Sequence, residues 1–306
     1  MTSVFVIGRR RKGRPVGAVV RQVRRRIERE GLAVEARVVR RKRRLRTATS
    51  RAVDAGCRLV VCAGGDGTVR EVATALAGTE VPLAIIPTGT GNFLARNLGL
   101  PRDVREAVNT AISGRRQKID VGSVKIAGKV RDFTVACGVG FDATVMRRTT
   151  SRAKGRWGGL AYVANAIREA GTIRNVPHEL TLDGVRSTTD AAQVFVANLG
   201  RIPPGHKVPG VQPTDGLLDV FVVRASGPIP ALLAGWEAIR HARPGRPRGS
   251  GSRRLGRGRL FRTQAREIRI ETKPARQVEL DGNVVGTTPL EISVRPSALT
   301  VMVPGR

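Results

Sequence analysis

The stretch that most constrains this chain is Ala63-Gly64-Gly65-Asp66-Gly67-Thr68. An apolar run, Leu59-Val60-Val61-Cys62, precedes it, and a helical pattern, Val69 to Leu76, follows. The order is strand, glycine turn, helix. Glycines let a backbone turn tightly and approach a ligand closely. A helix start offers unbonded N–H groups and the positive end of a dipole, so phosphate binds there readily. Asp66 stands inside the turn, where an acid beside phosphates makes sense if it holds Mg²⁺, directly or through water. Taken alone, the same letters also describe an Asp-Gly turn in an α/β domain.

A second turn of the same kind lies in the next strand–helix unit, Ile85-Ile86-Pro87-Thr88-Gly89-Thr90-Gly91-Asn92-Phe93. Two such turns can lie side by side at the carboxyl edge of one parallel sheet, where open α/β sheets bind their ligands. With both in place, the sequence resembles the catalytic domain of the diacylglycerol kinase and sphingosine kinase superfamily, nearest to the soluble bacterial diacylglycerol kinase-like lipid kinases. The resemblance rests on Gly64-Gly65-Asp66-Gly67-Thr68-Val69-Arg70-Glu71-Val72 and Pro87-Thr88-Gly89-Thr90-Gly91-Asn92-Phe93. NAD kinases share the first turn but are not expected to show Gly-Thr-Gly-Asn-Phe next.

The length of 306 residues suits two domains or one large one. Cys57, Cys62 and Cys137 lack paired spacing and suggest reduced thiols in a cytosol. The opening residues, a short strand followed by arginines, are not expected to form a signal peptide. No apolar run reaches the roughly 18 residues of a spanning helix. The charge is extreme, with 55 Lys+Arg against 24 Asp+Glu and a net +31. Such a field draws polyanions, whether nucleic acid, nucleotide phosphates or anionic membrane. Aromatics at 3% give few stacking platforms for single strands, and no groove-reading motif is present, so no specific nucleic-acid partner is expected.

Along the chain, Ser3 to Ile7 reads as a first strand and residues 8–14 as a basic, glycine-bounded loop. Pro15 opens a helix with Val16, Val19, Val23 and Ile27 on one face, and Gly31 ends it. Ala33 to Val39 is a second strand. Arg40 to Arg46 holds six basic residues in seven, normally a solvated loop but also suited to nucleotide phosphates or an acidic surface. Helices are expected over Leu45–Ala55 and Val104–Ser113. From Lys118-Ile119-Asp120-Val121-Gly122 onward the texture becomes short strands with turns between them. Candidates are Val121–Ile126, Arg131–Val139, Glu179–Asp183, Gln193–Asn198, Leu217–Val223, Glu267–Glu271, Gln277–Leu280 and Leu299–Val303. Helical patterns interrupt them at Leu160–Ala170 and Ile229–Arg240. Many strands at short spacing argue a β-rich second domain.

The resemblance implies an α/β nucleotide-binding domain with a parallel sheet, followed by a β-rich, sandwich-like domain. It places an ATP-binding domain in residues 1–118, with 290–306 returning to it, and a lipid-binding domain in 119–289. It implies that ATP is held by the Arg9, Arg10, Arg11, Lys12 and Gly13 loop, by Arg41, by Gly64 through Glu71 (Gly64, Gly65, Asp66, Gly67, Thr68, Val69, Arg70, Glu71), and by Gly89, Thr90, Gly91 and Asn92. The first loop lacks the family's Asn-Pro, and Arg70 stands where the family usually has Asn. Glu71 equally suits a helix-start acid. Asp120 matches an acid that faces the cleft in the family, and equally reads as a turn aspartate that starts a strand. Val135 through Asp142 resembles a glycine-rich strand end lining the lipid site. Gln212-Pro213-Thr214-Asp215-Gly216-Leu217 resembles a loop that holds a structural Mg²⁺ with Asp215 and the carbonyls of Gln212 and Leu217, and also reads as a Thr-Asp-Gly turn.

Residues 240–262, rich in Arg, Gly, Pro and Ser, read as a flexible basic loop attracted to anionic headgroups at about 1 kcal/mol per charge. The preceding Leu232, Leu233 and Trp236 suit a membrane interface or a core. One departure concerns the chemistry. Val278-Glu279-Leu280-Asp281-Gly282-Asn283 ends in Asn where the family has the Glu proposed as base. Asn holds a hydroxyl but cannot accept its proton at neutral pH. Asp281, Glu279 or Asp66 are the candidate replacements.

The expected function is therefore an ATP-dependent lipid kinase acting on diacylglycerol or a related lipid alcohol, with Mg²⁺ as cofactor and catalytic candidates Asp66, Asn283, Asp281 and Asp120. It is expected to be cytoplasmic and peripherally bound to anionic membrane, with a homodimer as one oligomeric option. The alternatives are a catalytically weak or silent nucleotide- or lipid-binding homologue and, further off, an NAD kinase.

Overall fold

The computed structural model describes residues 3–10, 13, 15–140, 174–202, 206–224 and 258–305. Arg11, Lys12, the helical patterns at 160–170 and 229–240 with Trp236, and the basic loop up to residue 257 lie outside the described residues.

The first half alternates strand and helix: β1 (Val4–Arg9), α1 (Val16–Arg29), β2 (Val34–Val39), α2 (Arg43–Asp54), β3 (Leu59–Gly64), α3 (Asp66–Leu76), β4 (Leu83–Pro87), α4 (Phe93–Asn97) and α5 (Val104–Ser113). Near-continuous apolar runs such as Val4-Phe5-Val6-Ile7 are what a strand buried on both faces requires, and these four are at most 2% exposed. The strands pair in parallel in the order β2-β1-β3-β4. Helices α2 and α3 cover one face through Leu45, Val72 and Leu76; α1 and α5 cover the other through Val20, Val23, Ile27 and Val108. The buried stripe of α1 is Val16, Val20, Val23 and Ile27. Val19, expected on that stripe, sits at its margin.

The second half is antiparallel. Its elements are β5 (Arg115–Ile126), β6 (Lys129–Phe133), β7 (Ala136–Val139), β8 (Val176–Leu182), β9 (Val185–Ala191), β10 (Gln193–Ala197), β11 (Arg201–Ile202), β12 (His206–Lys207), β13 (Leu218–Val223), β14 (Leu260–Ala265), β15 (Glu267–Thr272), β16 (Gln277–Leu280), β17 (Asn283–Thr287) and β18 (Leu290–Val303). A six-stranded sheet, β14-β13-β10-β7-β16-β17, packs Val139, Val194, Val220 and Val278 against Phe133, Leu180, Ile268 and Ile292 of the facing strands. The chain thus combines an N-terminal α/β domain with a mostly parallel sheet and a C-terminal antiparallel sandwich.

One ribbon joins the halves. β5 and β18 pair antiparallel from Ile126↔Leu290 to Arg115↔Val303, with a register break between Arg295 and Leu299. β18 also meets β4 in parallel at Val301↔Leu83. The parallel sheet therefore continues into the sandwich as one sheet, of ten strands among the described residues.

Two expectations need correction. Arg131–Val139 is not one strand. It breaks at Thr134-Val135 into β6 and β7, which belong to different sheets. The last described part of the supposed basic loop, Leu260–Arg262, is strand β14. Arg262 is buried there because Asp219 neutralises it at 2.8 Å and the Phe221 ring lies 5.3 Å beneath it.

Candidate active site

The strand–glycine–helix order puts Gly64 at the end of β3 and Gly65 at the cap of α3, extended at φ −98°. The second turn follows β4 and delivers Gly89 against it. A Cβ built on Gly65 would stand 2.8 Å from the Gly89 Cα, and one on Gly89 only 2.5 Å from the Gly65 Cα. The two turns are therefore in backbone contact, which excludes any side chain at either position. Thr88 N–H donates to the Gly64 carbonyl at 3.1 Å and completes the seam.

Asp66 ties this seam. Its carboxylate accepts the Asn92 N–H at 2.9 Å and the Phe93 N–H at 2.5 Å, capping α4. Asn92 sits left-handed at φ 48°; its Oδ1 accepts the Gly89 N–H at 2.9 Å and its Nδ2 donates to the Gly89 carbonyl at 3.0 Å. Thr90, at the tip, is exposed. Asp66 thus has a structural duty that the sequence did not show, because its partners lie on the other turn.

Around α3 the charges are arranged by packing. Glu71 is the sixth residue of α3, one turn too late for a helix-start acid. It lies within ion-pair distance of Lys42 (3.5 Å), Arg46 (3.6 Å) and Arg70 (3.5 Å). A Cβ on Gly67 would be 3.8 Å from the Lys42 Nζ, so this ammonium hangs beside the first glycine turn. Burial, then the Arg70 charge, lower the Lys42 pKa below the usual lysine range, with Glu71 opposing. Sequence reasoning chose Arg41 from this basic run, yet Arg41 is exposed while Lys42 reaches the turn. No sequence signal separates the two, because Lys42 meets the turn only through the packing of α2, which it caps, beside α3. Arg70 reaches across the molecule, donating to the Leu280 carbonyl at 2.8 Å. Of the first loop, Arg9 ends β1, the Arg10 N–H donates to Val39, and Gly13 has φ +73°.

The acids expected in the cleft are placed otherwise. Asp120 is 1% exposed. One carboxylate oxygen accepts the Ser297 N–H at 2.7 Å and the other the Gly216 N–H at 2.8 Å. It does not face a cleft: it pins the break in the β5–β18 ribbon to the 212–217 loop, an arrangement in which backbone donors replace water. Asp281 accepts N–H groups from Thr134, Val135 and Ala136 at 2.9–3.1 Å, plus the Thr134 hydroxyl at 3.3 Å. It holds the β6–β7 break open, and burial raises its carboxyl above the usual range against those donors. Asn283 is exposed, with its Nδ2 donating to the Asp281 carbonyl at 3.2 Å. Asn198, buried and unremarked in the sequence, links these pieces by donating to the carbonyls of Asp120 at 2.8 Å and Thr134 at 3.0 Å.

In the 212–217 loop Asp215 is exposed, accepting the Leu217 N–H at 3.1 Å and Gln264 Nε2 at 3.1 Å. Among the described residues no cluster of three His, Cys, Asp or Glu side chains could hold a metal. A cation here would depend on one carboxylate and backbone carbonyls, an all-oxygen set that suits Mg²⁺ or Ca²⁺.

The profile of the diacylglycerol kinase catalytic domain matches residues 4–124, and that of the YegS C-terminal NAD kinase beta sandwich-like domain matches residues 135–242. A Mycobacterium tuberculosis protein named diacylglycerol kinase is 29% identical over 83% of this chain and 79% of its own length. A Pseudomonas syringae pv. tomato protein named "Probable lipid kinase YegS-like" is 31% identical over 83% of this chain and 78% of its own. The chain spans 58% of the length of an uncharacterized Synechocystis protein to which it is 27% identical. In fold, it superposes on the crystal structure of a Bacillus anthracis diacylglycerol kinase with a TM-score of 0.71, covering 99% of this chain and 97% of that one at 21% identity.

Proposed function

The chain belongs to the diacylglycerol kinase-like lipid kinases, and from that membership we propose that it transfers the γ-phosphate of ATP to the hydroxyl of diacylglycerol or a related lipid alcohol. The observation that carries the reading is the backbone contact of Gly65 with Gly89. It brings two glycine backbones together at the start of α3, where first-turn amide N–H groups and the helix dipole favour phosphate. Lys42 adds a charge beside Gly67. In this reading Gly64 to Glu71 and Gly89 to Asn92 bind ATP, the Arg9–Gly13 loop covers the phosphates and Lys42, in place of Arg41, contributes at the flank.

Phosphoryl transfer asks a protein mainly for positioning and charge neutralisation. Asp66 fixes the second turn relative to the first, and its remaining lone pairs are available to a hydrated Mg²⁺. Asp215 with the carbonyls of Gln212 and Leu217 is the proposed holder of a structural Mg²⁺. Bound at these phosphates, Mg²⁺ would neutralise their charge. Asn283 orients the lipid hydroxyl without taking its proton. Asp281 and Asp66 are poor replacements as base, since backbone donors occupy their carboxylates. A lipid substrate brings the protein to a bilayer, and the net +31 favours an anionic, peripheral docking surface.

The test is transfer of labelled γ-phosphate from Mg-ATP to a lipid panel in mixed micelles, for wild type and Asn283→Glu. Labelled lipid from the wild type is expected, with Asn283→Glu faster by up to about 10²–10⁴, the usual worth of a general base. A second reading, nucleotide or lipid binding without turnover, is favoured by the exposed amide at position 283. Product from the Glu variant alone would support it. Phosphorylation of NAD and of no lipid would instead mark an NAD kinase.

A further inference from the structure

The arginine run after β2 does not all serve the glycine turn. Lys42 points there, but its neighbours line a separate groove of about 880 Å³ between edge strand β2 and helix α2. Among the described residues six guanidinium groups border it: Arg37, Arg40 and Arg41 from the strand and its end, and Arg43, Arg44 and Arg51 from the helix. Arg44, Ala48 and Arg51 recur at the three-to-four-residue spacing of one helix stripe, so α2 presents a row of charge to the strand. Among the described residues, no acidic side chain lines the groove. Of the six, Arg37 has a carboxylate partner, Glu35 at 2.9 Å; the others show none among the described residues. Val38, 41% exposed, gives the groove an apolar patch.

Charges of one sign gathered in a concavity repel one another and raise the local potential. A single cation would suffice to protect an edge strand from pairing. Guanidinium forks match phosphate oxygens two at a time, and a volume of this size suits a discrete ligand rather than a flat bilayer.

We propose that the groove between β2 and α2 is a second anion site, built for a dianionic or polyanionic phosphate group and separate from the nucleotide turn. The inference does not depend on the kinase reading. The phosphate can come free in solution or as the phosphomonoester headgroup of a lipid.

The experiment uses the full chain at near-physiological salt. Calorimetric titration with inorganic tripolyphosphate tests the free source. Co-sedimentation with phosphatidylcholine vesicles containing phosphatidic acid tests the headgroup. Three proteins are compared: wild type, Arg44→Gln with Arg51→Gln, and Arg25→Gln with Arg29→Gln, which removes equal charge from exposed positions on α1. The groove double variant is expected to weaken binding about tenfold per guanidinium, as charge-assisted bonds do. The α1 double variant should bind as wild type, and ATP affinity should be the same in all three. Tripolyphosphate binding alone assigns the free anion, vesicle binding alone the headgroup, and both assign phosphate recognition irrespective of source. Equal loss in both double variants, no binding to either probe, or loss of ATP affinity with the groove variant would overturn the proposal.

Discussion

At Gly65 and Gly89 a single methyl group decides whether two turns can meet. Gly65→Ala or Gly89→Ala must push the backbones apart. We expect about 1–3 kcal/mol of destabilisation, as for other overpacked sites, together with loss of ATP binding, read by thermal unfolding and calorimetry. The need for glycine here was legible in the sequence, and so was the pairing of the two turns. The duty of Asp66 was not, because its partners lie 26 and 27 residues away and depend on how the turns dock. His178 was silent in the sequence too. It is 1% exposed, its Nδ1 lies 2.8 Å from the Val176 carbonyl, and its Nε2 has no partner among the described residues. Burial lowers its pKa below 6.5. The unfolded chain therefore takes up the proton first. His178 supports the fold fully above pH 6.5, and that support is lost as pH falls from there through the lowered folded value. His178→Gln should flatten this limb of the stability curve by at most about 1.4 kcal/mol per pH unit, seen in urea unfolding at stepped pH.

Among the elements, the parallel half was readable because its strands are apolar runs and its helices amphipathic. The sandwich was readable only where a strand buries an apolar face. β9, with the sequence Val-Arg-Ser-Thr-Thr-Asp-Ala, and β17 are edge strands that bury little, so their letters look like loop. The β6–β7 break hid for another reason: Asp281, far along the chain, supplies the acceptors that let the backbone leave the sheet. Asp120 plays a comparable part at the ribbon break. Asp120→Asn replaces a charged acceptor with a neutral one at two backbone N–H groups and should cost about 1–3 kcal/mol. The readout is a lower urea midpoint, with faster amide exchange at Gly216 and Ser297. Arg70 couples α3 to the β16–β17 turn through the Leu280 carbonyl. Arg70→Met keeps the stem but removes that bond, and should lower stability by about 1.5–3 kcal/mol.

For the whole molecule, length suited two domains or one large one, and composition a strong positive field. It could not show that the two share a sheet. Since β5 and β18 run through both, the lobes should unfold together. Calorimetry is expected to give one transition, and a fragment ending after α5 is expected to remain unfolded. The shared ribbon also bears on how the chain is made. The outer edge of β4 is closed by β18, yet α5 ends at Ser113 and β18 begins at Leu290. At a synthesis rate of about 5–20 residues per second, that interval is roughly 10–35 s. Through it the first half of the nascent chain stays unfolded, with its apolar strand segments open to wrong partners, and they must be kept apart until the strand that completes their sheet has been translated.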